Sequence, residues 1–109
     1  MNDQELLHAA IERLATLRKH FQKRKIASLD EMTFQDYLDR ILKRVKEAKK
    51  VDNALLIALE KFYQSSSMLI GLSSLKLAPE TYQAWRDYDQ FHFAHVKTQL
   101  RLYGLALTM

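Results

Sequence analysis

Apolar side chains recur at alternating spacings of four and three from Phe34 through Leu38, Ile41, Val45, Ala48, Leu55, Leu59 and Phe62 to Leu69, with Asp52 and Ser66 the two polar residues on the line. A 3.5-residue period keeps one seam of a helix facing a partner helix, as in coiled coils and helical bundles. The chain must therefore supply helices that pack along their length. A second stripe, Leu7, Ala10, Leu14, Leu17 and Phe21, has the same spacing near the N-terminus. A β-protein needs a turn signal every 8 to 12 residues, and 2 Gly with 1 Pro in 109 residues do not supply them. The class is all-α, and the length fits one domain spanning residues 1–109.

Helix boundaries follow from capping residues. The first helix is predicted from about Asp3 to Lys25, capped by Asn2 or Asp3. Ser28 with Glu31 has the form of a capping box, Thr33 offers a second start, and the second helix runs to about Lys50. Asp36 with Arg40 and Asp39 with Lys43 are spaced for ion pairs on its polar side. At Lys49-Lys50-Val51-Asp52-Asn53 two cations suit a helix end and Asp52 suits a new cap, yet no Gly or Pro interrupts and the seam stays in phase. Two architectures follow. A turn there gives an antiparallel four-helix bundle with Asp52 capping the third helix. Without it, three helices form with one long central helix, which needs an oligomer to cover it. The turn is the expectation, because it lets each helix bury its stripe within one chain. The third helix ends near Gly71, and the fourth runs from Pro79 to Tyr103, stopped by Gly104 ahead of an apolar tail. Leu14, Phe21, Ile41, Val45, Leu55, Leu59, Phe62 and Val96 are the expected core, and the Ser65-Ser66-Ser67 triplet is expected to let a neighbouring helix come close.

The absence of cysteine excludes disulfides, thiolate zinc sites and a cysteine nucleophile, and fits a cytoplasmic protein. The acidic start Met-Asn-Asp-Gln-Glu lacks the form of a signal peptide. The longest apolar run, Ala54 to Leu59, is six residues, against roughly 20 for a membrane span, so no membrane partner is expected.

Charge is unevenly spread. Residues 13–50 carry twelve Lys and Arg against five acids, residues 1–12 carry three acids and no base, and residues 51–109 balance. Arg18, Lys19, Lys23, Arg24 and Lys25 close the first helix, and Arg40, Lys43, Arg44, Lys46, Lys49 and Lys50 fill the second half of the next. Such a density suits nucleic-acid phosphate. Acids early and bases late in a helix are also what the macrodipole favours on a solvated face.

The fourth helix places Tyr82, Trp85, Asp89, His92, Val96, Gln99 and Tyr103 on its seam, so polar groups occupy positions that should be buried. Asp89 and His92 are spaced to hydrogen-bond. Either a buried polar network or a groove for a protein partner follows, the latter using Trp85, Tyr88, His92 and Tyr103. Glu5-Leu-Leu-His8 and Asp89-Gln-Phe-His92 resemble the Glu-x-x-His pair of di-iron bundles, but Glu5 and His8 project opposite the Leu7-Leu14-Phe21 stripe, so no metal or other cofactor is expected. Arg86-Asp-Tyr-Asp-Gln-Phe-His92 resembles the Arg-polar-x4-His motif of the HEPN helical ribonucleases, a resemblance that would make Arg86 and His92 catalytic across a dimer; Arg13 to His20 matches nearly as well. The chain reads as non-enzymatic.

The size, the all-α pattern and the basic segments Arg18–Lys25 and Arg40–Lys50 resemble the small helical subunit of CRISPR surveillance complexes. That resemblance implies a subunit of a larger assembly lying along single-stranded DNA or RNA and contacting its phosphates without reading sequence. The alternative function is a homo-oligomeric or protein-binding module, of immunity or inhibitor type, using the aromatic face of the last helix.

Overall fold

A helix begins with backbone N–H groups that have no partner inside it, and three helices of this chain start where a side chain supplies one. The computed structural model describes residues 1–73 and 75–102, the side chains of 101 and 102 excepted. Asn2 and Glu5 form a reciprocal capping box (2.8 and 3.0 Å) that opens α1, Asp3–Phe21. Ser28 and Glu31 form another (3.1 and 2.9 Å) that opens α2, Leu29–Glu47, and settles the start in favour of Ser28 over Thr33. Asp52 accepts the Leu55 N–H at 2.8 Å and opens α3, Asn53–Leu72. Pro79 occupies the first turn of α4, Pro79–Phe91, where its missing N–H costs nothing.

The turn at Lys49–Asn53 exists, so the long central helix does not. It needs no glycine, because α2 ends when Ala48 leaves into ordinary extended backbone (φ −73°, ψ 135°) that any residue adopts. α1 stops at Phe21, short of Lys25. The Arg24 guanidinium lies over the Phe21 ring at 5.5 Å and donates to the Lys76 carbonyl at 2.7 Å, folding the chain back across the helix end.

Contacts along the chain fix how neighbours run. Gln4 reaches the Lys49 carbonyl (3.3 Å), Asp3 accepts from the Val51 N–H (3.0 Å), Arg18 pairs with Asp39 (2.6 Å) and Arg24 with Glu31 (3.0 Å), so α1 and α2 are antiparallel. α1 also packs on α4, and α2 on α3. All eight expected core residues are buried, as are Leu7, Ala10 and Leu17 of the α1 stripe. The aromatic centre is Phe21, Phe34, Trp85, Phe62 and Tyr88, in edge contacts such as Phe21 on Phe34 at 4.9 Å.

The expected fourth helix departs most from expectation. It breaks into α4, a π-helical segment His92–Lys97, and α5, Thr98–Leu102. The wider π turn advances the buried face by one residue: from His92 it continues to Val96, Lys97 and Leu100, where an unbroken α-helix would continue to 95, 96 and 99. At the N-terminal end the inward line is Thr81, Trp85, Tyr88 and His92, leaving Tyr82 44% exposed. Tyr103, Gly104 and the apolar tail lie outside the described residues. No described helix is long and apolar enough to cross a membrane.

Candidate functional site

Antiparallel packing separates the eleven cations expected on one surface. Lys49 lies beside Gln4 whereas α1 ends at Phe21, about 25 Å further along at 1.5 Å per residue, so Lys23 and Lys25 lie at the opposite end of the helix pair from Lys49 and Lys50. Arg18 lies between them, in a groove that it shares with Lys43 and Lys46. Three arginines are engaged within the chain: Arg18 with Asp39, Arg24 with Glu31, and Arg40 with Asp36 at 3.0 Å. Asp39 is taken by Arg18 and by Gln35 (2.9 Å), so the expected Asp39–Lys43 pair does not form. Lys19, Lys23 and Lys25 are exposed at one end; Lys43, Arg44, Lys46, Lys49 and Lys50 are exposed at the other.

Three concavities surround that second cluster. One of about 350 Å³ between α1 and α2 is lined by Arg18, Asp39, Lys43, Lys46 and Glu47, and one of about 370 Å³ at the α2–α3 turn by Arg44, Lys49, Lys50, Glu47 and Asp52. The third, about 400 Å³ between α2 and α3, is lined by Tyr37, Arg40, Ile41, Arg44, Ala58, Lys61, Phe62 and Ser65, with no acid among them. Lys61 and Tyr37 were absent from the candidate residues read from the sequence. The turn itself was the missed signal: folding the seam back about position 51 puts Lys61 opposite Arg40 and Arg44, and Tyr37 opposite Ser65. A fourth groove of about 430 Å³ between α1 and α4 mixes Glu12 and Asp87 with Arg13 and His95.

Trp85, Tyr88 and His92 do not form a partner surface. Trp85 is 6% exposed and the other two are fully buried, because the π turn and α3 close over them. The buried polar network is what forms there. His92 does not bond Asp89; its Nε2 meets Glu60 Oε1 at 2.7 Å and its Nδ1 meets Tyr88 Oη at 3.0 Å. A carboxylate only accepts, so Nε2 carries the proton and Nδ1 accepts from the Tyr88 hydroxyl. Glu60 Oε2 takes donors from Gln64 (2.7 Å) and Lys97 (3.3 Å). Asp89 instead accepts from the Tyr63 hydroxyl at 2.5 Å, and the Tyr63 ring stacks on His92 at 4.3 Å.

Glu60 and Lys97 form a buried ion pair within this network. Burial pushes the Glu60 carboxyl up, but hydrogen bonds from His92 and Gln64 and the Lys97 charge outweigh it and hold it below its ordinary 4.5. Burial lowers His92 below 6.5 against the pull of Glu60, so a neutral imidazole sits beside the direct Glu60–Lys97 ion pair. Burial, then the Asp89 contact, pushes Tyr63 up to about 12, and burial holds Tyr88 well above 10. The order carboxylate, imidazole, hydroxyl has the form of a catalytic relay. His92 and Tyr88 have no solvent-exposed surface, and the network ties α3 to α4 and the π segment.

Arg86 is exposed, whereas His92 is fully buried. Glu5 and His8 both face solvent. Comparison with protein-family models, curated proteins and solved structures finds no match for this chain.

Proposed function

We propose that the chain is an antiparallel four-helix bundle that acts as a non-enzymatic subunit of a larger assembly and contacts nucleic-acid phosphate, without reading sequence, through the end of the molecule formed by the second half of α2 and the facing part of α3. One observation carries this: Lys43, Arg44, Lys46, Lys49 and Lys50 are exposed within one turn-and-a-half of helix and the turn that follows, none in an ion pair among the described residues. Lys61 adds a cation from α3. Unpaired cations are free to displace condensed counterions, which is the source of sequence-independent affinity. The role matches what the resemblance to the small CRISPR subunit implies.

The α1 cluster is assigned no part, because Arg18 and Arg24 are engaged with Asp39 and Glu31, which leaves three exposed lysines there against five exposed cations in the α2 group. Binding of a labelled oligonucleotide, followed by anisotropy across a salt series, tests the reading. Affinity should fall with a log-log slope of about −0.7 per phosphate contacted on a single strand. Lys43→Glu with Lys46→Glu should abolish binding, and Lys23→Glu with Lys25→Glu, at the far end, should leave it nearly unchanged. Salt-independent binding, or loss with the second pair and not the first, overturns the assignment.

A further inference from the structure

The basic end carries a groove whose lining differs from what phosphate alone requires. Resting on the phosphate-binding reading above, we infer that the α2–α3 groove is a base-plus-phosphate slot that selects single-stranded nucleic acid over duplex. Ile41 and Phe62, nearly buried, form its apolar floor, and half-buried Tyr37 forms one side. Arg40 and Arg44 stand one helical turn apart along the α2 rim, and Lys61 faces them from α3. Asp36 holds Arg40 at 3.0 Å; Arg44 and Lys61 have no ion pair among the described residues.

The lining decides the occupant. A volume of about 400 Å³ falls within the range of small-ligand sites, roughly 300–1,000 Å³, and cations on both rims with no acid in the lining select an anion. An anion alone leaves the exposed part of Tyr37 wet. A nucleotide of a flexible strand satisfies both parts, its base covering the exposed part of Tyr37 while the flanking phosphates meet Arg44 and Lys61, the combination of aromatic platform and cationic track that binds single strands. In a duplex the bases are paired and stacked, so only the phosphates reach the rim.

The full-length chain is titrated with three labelled probes of equal length: oligo-dT, the same strand with abasic sites throughout, and a duplex. Oligo-dT should bind about tenfold or more tighter than the abasic strand, in line with the stacking contribution of a single base, with similar salt slopes for the two. Tyr37→Ala should bring oligo-dT down to the abasic affinity and leave the abasic strand unaffected; Arg44→Gln should weaken both and reduce the slope. Because the abasic comparison uses the native chain, it stands even if the Tyr37 variant folds poorly. Equal, salt-dependent binding of all three probes overturns the slot and leaves the phosphate-binding reading intact, whereas no salt-dependent binding of any probe overturns both. A polyglutamate peptide that displaces oligo-dT as well as unlabelled oligo-dT does would also overturn the slot, since the groove would then be reading charge on an acidic chain.

Discussion

Replacing Glu60 with Gln tests whether the buried network stabilises the fold as its geometry implies. Glu60 is 3% exposed and takes three donors: His92 at 2.7 Å, Gln64 at 2.7 Å and Lys97 at 3.3 Å. The amide keeps the shape, so no cavity opens. It replaces one acceptor oxygen with a donor NH2, which must face another donor, and it removes the carboxylate charge that faces the Lys97 ammonium, itself 5% exposed. Breaking a buried ion pair by removing one partner costs about 3 to 5 kcal/mol, and isosteric retention of one acceptor puts Glu60→Gln near the lower figure, about 3 kcal/mol. A small domain has about 5 to 15 kcal/mol in total, so Tm should fall by roughly 10 to 20 °C. Urea unfolding followed by far-UV circular dichroism reads the loss. In a Lys97→Met background the same change should cost only about 1 kcal/mol, because the amide oxygen can accept from His92 and no buried cation loses the Glu60 charge. A single-variant loss under about 1 kcal/mol, or an undiminished loss in the Lys97→Met background, would refute the reasoning.

Acid should destabilise the protein in two stages. His92 has a folded pKa lowered below 6.5, so the unfolded chain binds more protons; its contribution is complete above 6.5 and is lost as pH falls through the folded value, and Glu60, lowered below 4.5, adds a second loss at lower pH. Urea midpoints measured above and below 6.5 should differ in the native chain, and the upper stage should be absent in His92→Gln. Ser66 is fully buried with an Oγ that has no partner among the described residues, so Ser66→Ala should raise stability by about 1 kcal/mol; a loss of that size in thermal unfolding would show a hidden partner. Leu59→Ala, at a site with no exposure, should cost about 2 to 5 kcal/mol, and an unchanged urea midpoint would remove Leu59 from the core. Asp52→Ala should cost about 1 kcal/mol through loss of the Leu55 cap, with no change of oligomeric state by light scattering.

The seam and the caps were readable because burial and capping are local properties. Phe34, Leu38, Ile41 and Val45 are buried because they share one helix face, and Ser28 with Glu31 announces its box within four residues. Asp52 was ambiguous for a physical reason. It lies in phase with the seam, yet its side chain is used at the helix start, and α2 ends through extended backbone at Ala48 that leaves no Gly or Pro mark. Ends set by distant contacts were not readable. α1 finishes at Phe21 because Arg24 turns onto Glu31 and the Lys76 carbonyl, partners 7 and 52 residues away.

The same distinction governs the candidate site. Treating the basic half of α2 and the basic end of α1 as one surface assumed that charges near in sequence share a face, whereas antiparallel packing sends the C-terminal ends of consecutive helices to opposite poles. That geometry also pairs each basic end with the acidic start of its neighbour: Arg24 meets Glu31, and Lys49 and Lys50 adjoin Asp3 through the Gln4 and Val51 contacts. Dipole-matched charge within each helix thus becomes charge-matched packing between helices, which consumes Arg18 and Arg24 as structure. At the other pole Asp3 is spent on the Val51 N–H and Asp52 on the Leu55 N–H, each accepting from backbone, so the cations of Lys43 to Lys50 remain without ion pairs among the described residues. The two poles carry similar sequences of charge and differ in how many of their acids face the cations. That difference is a property of the packed chain, and it is why the phosphate-binding reading rests on the α2–α3 pole.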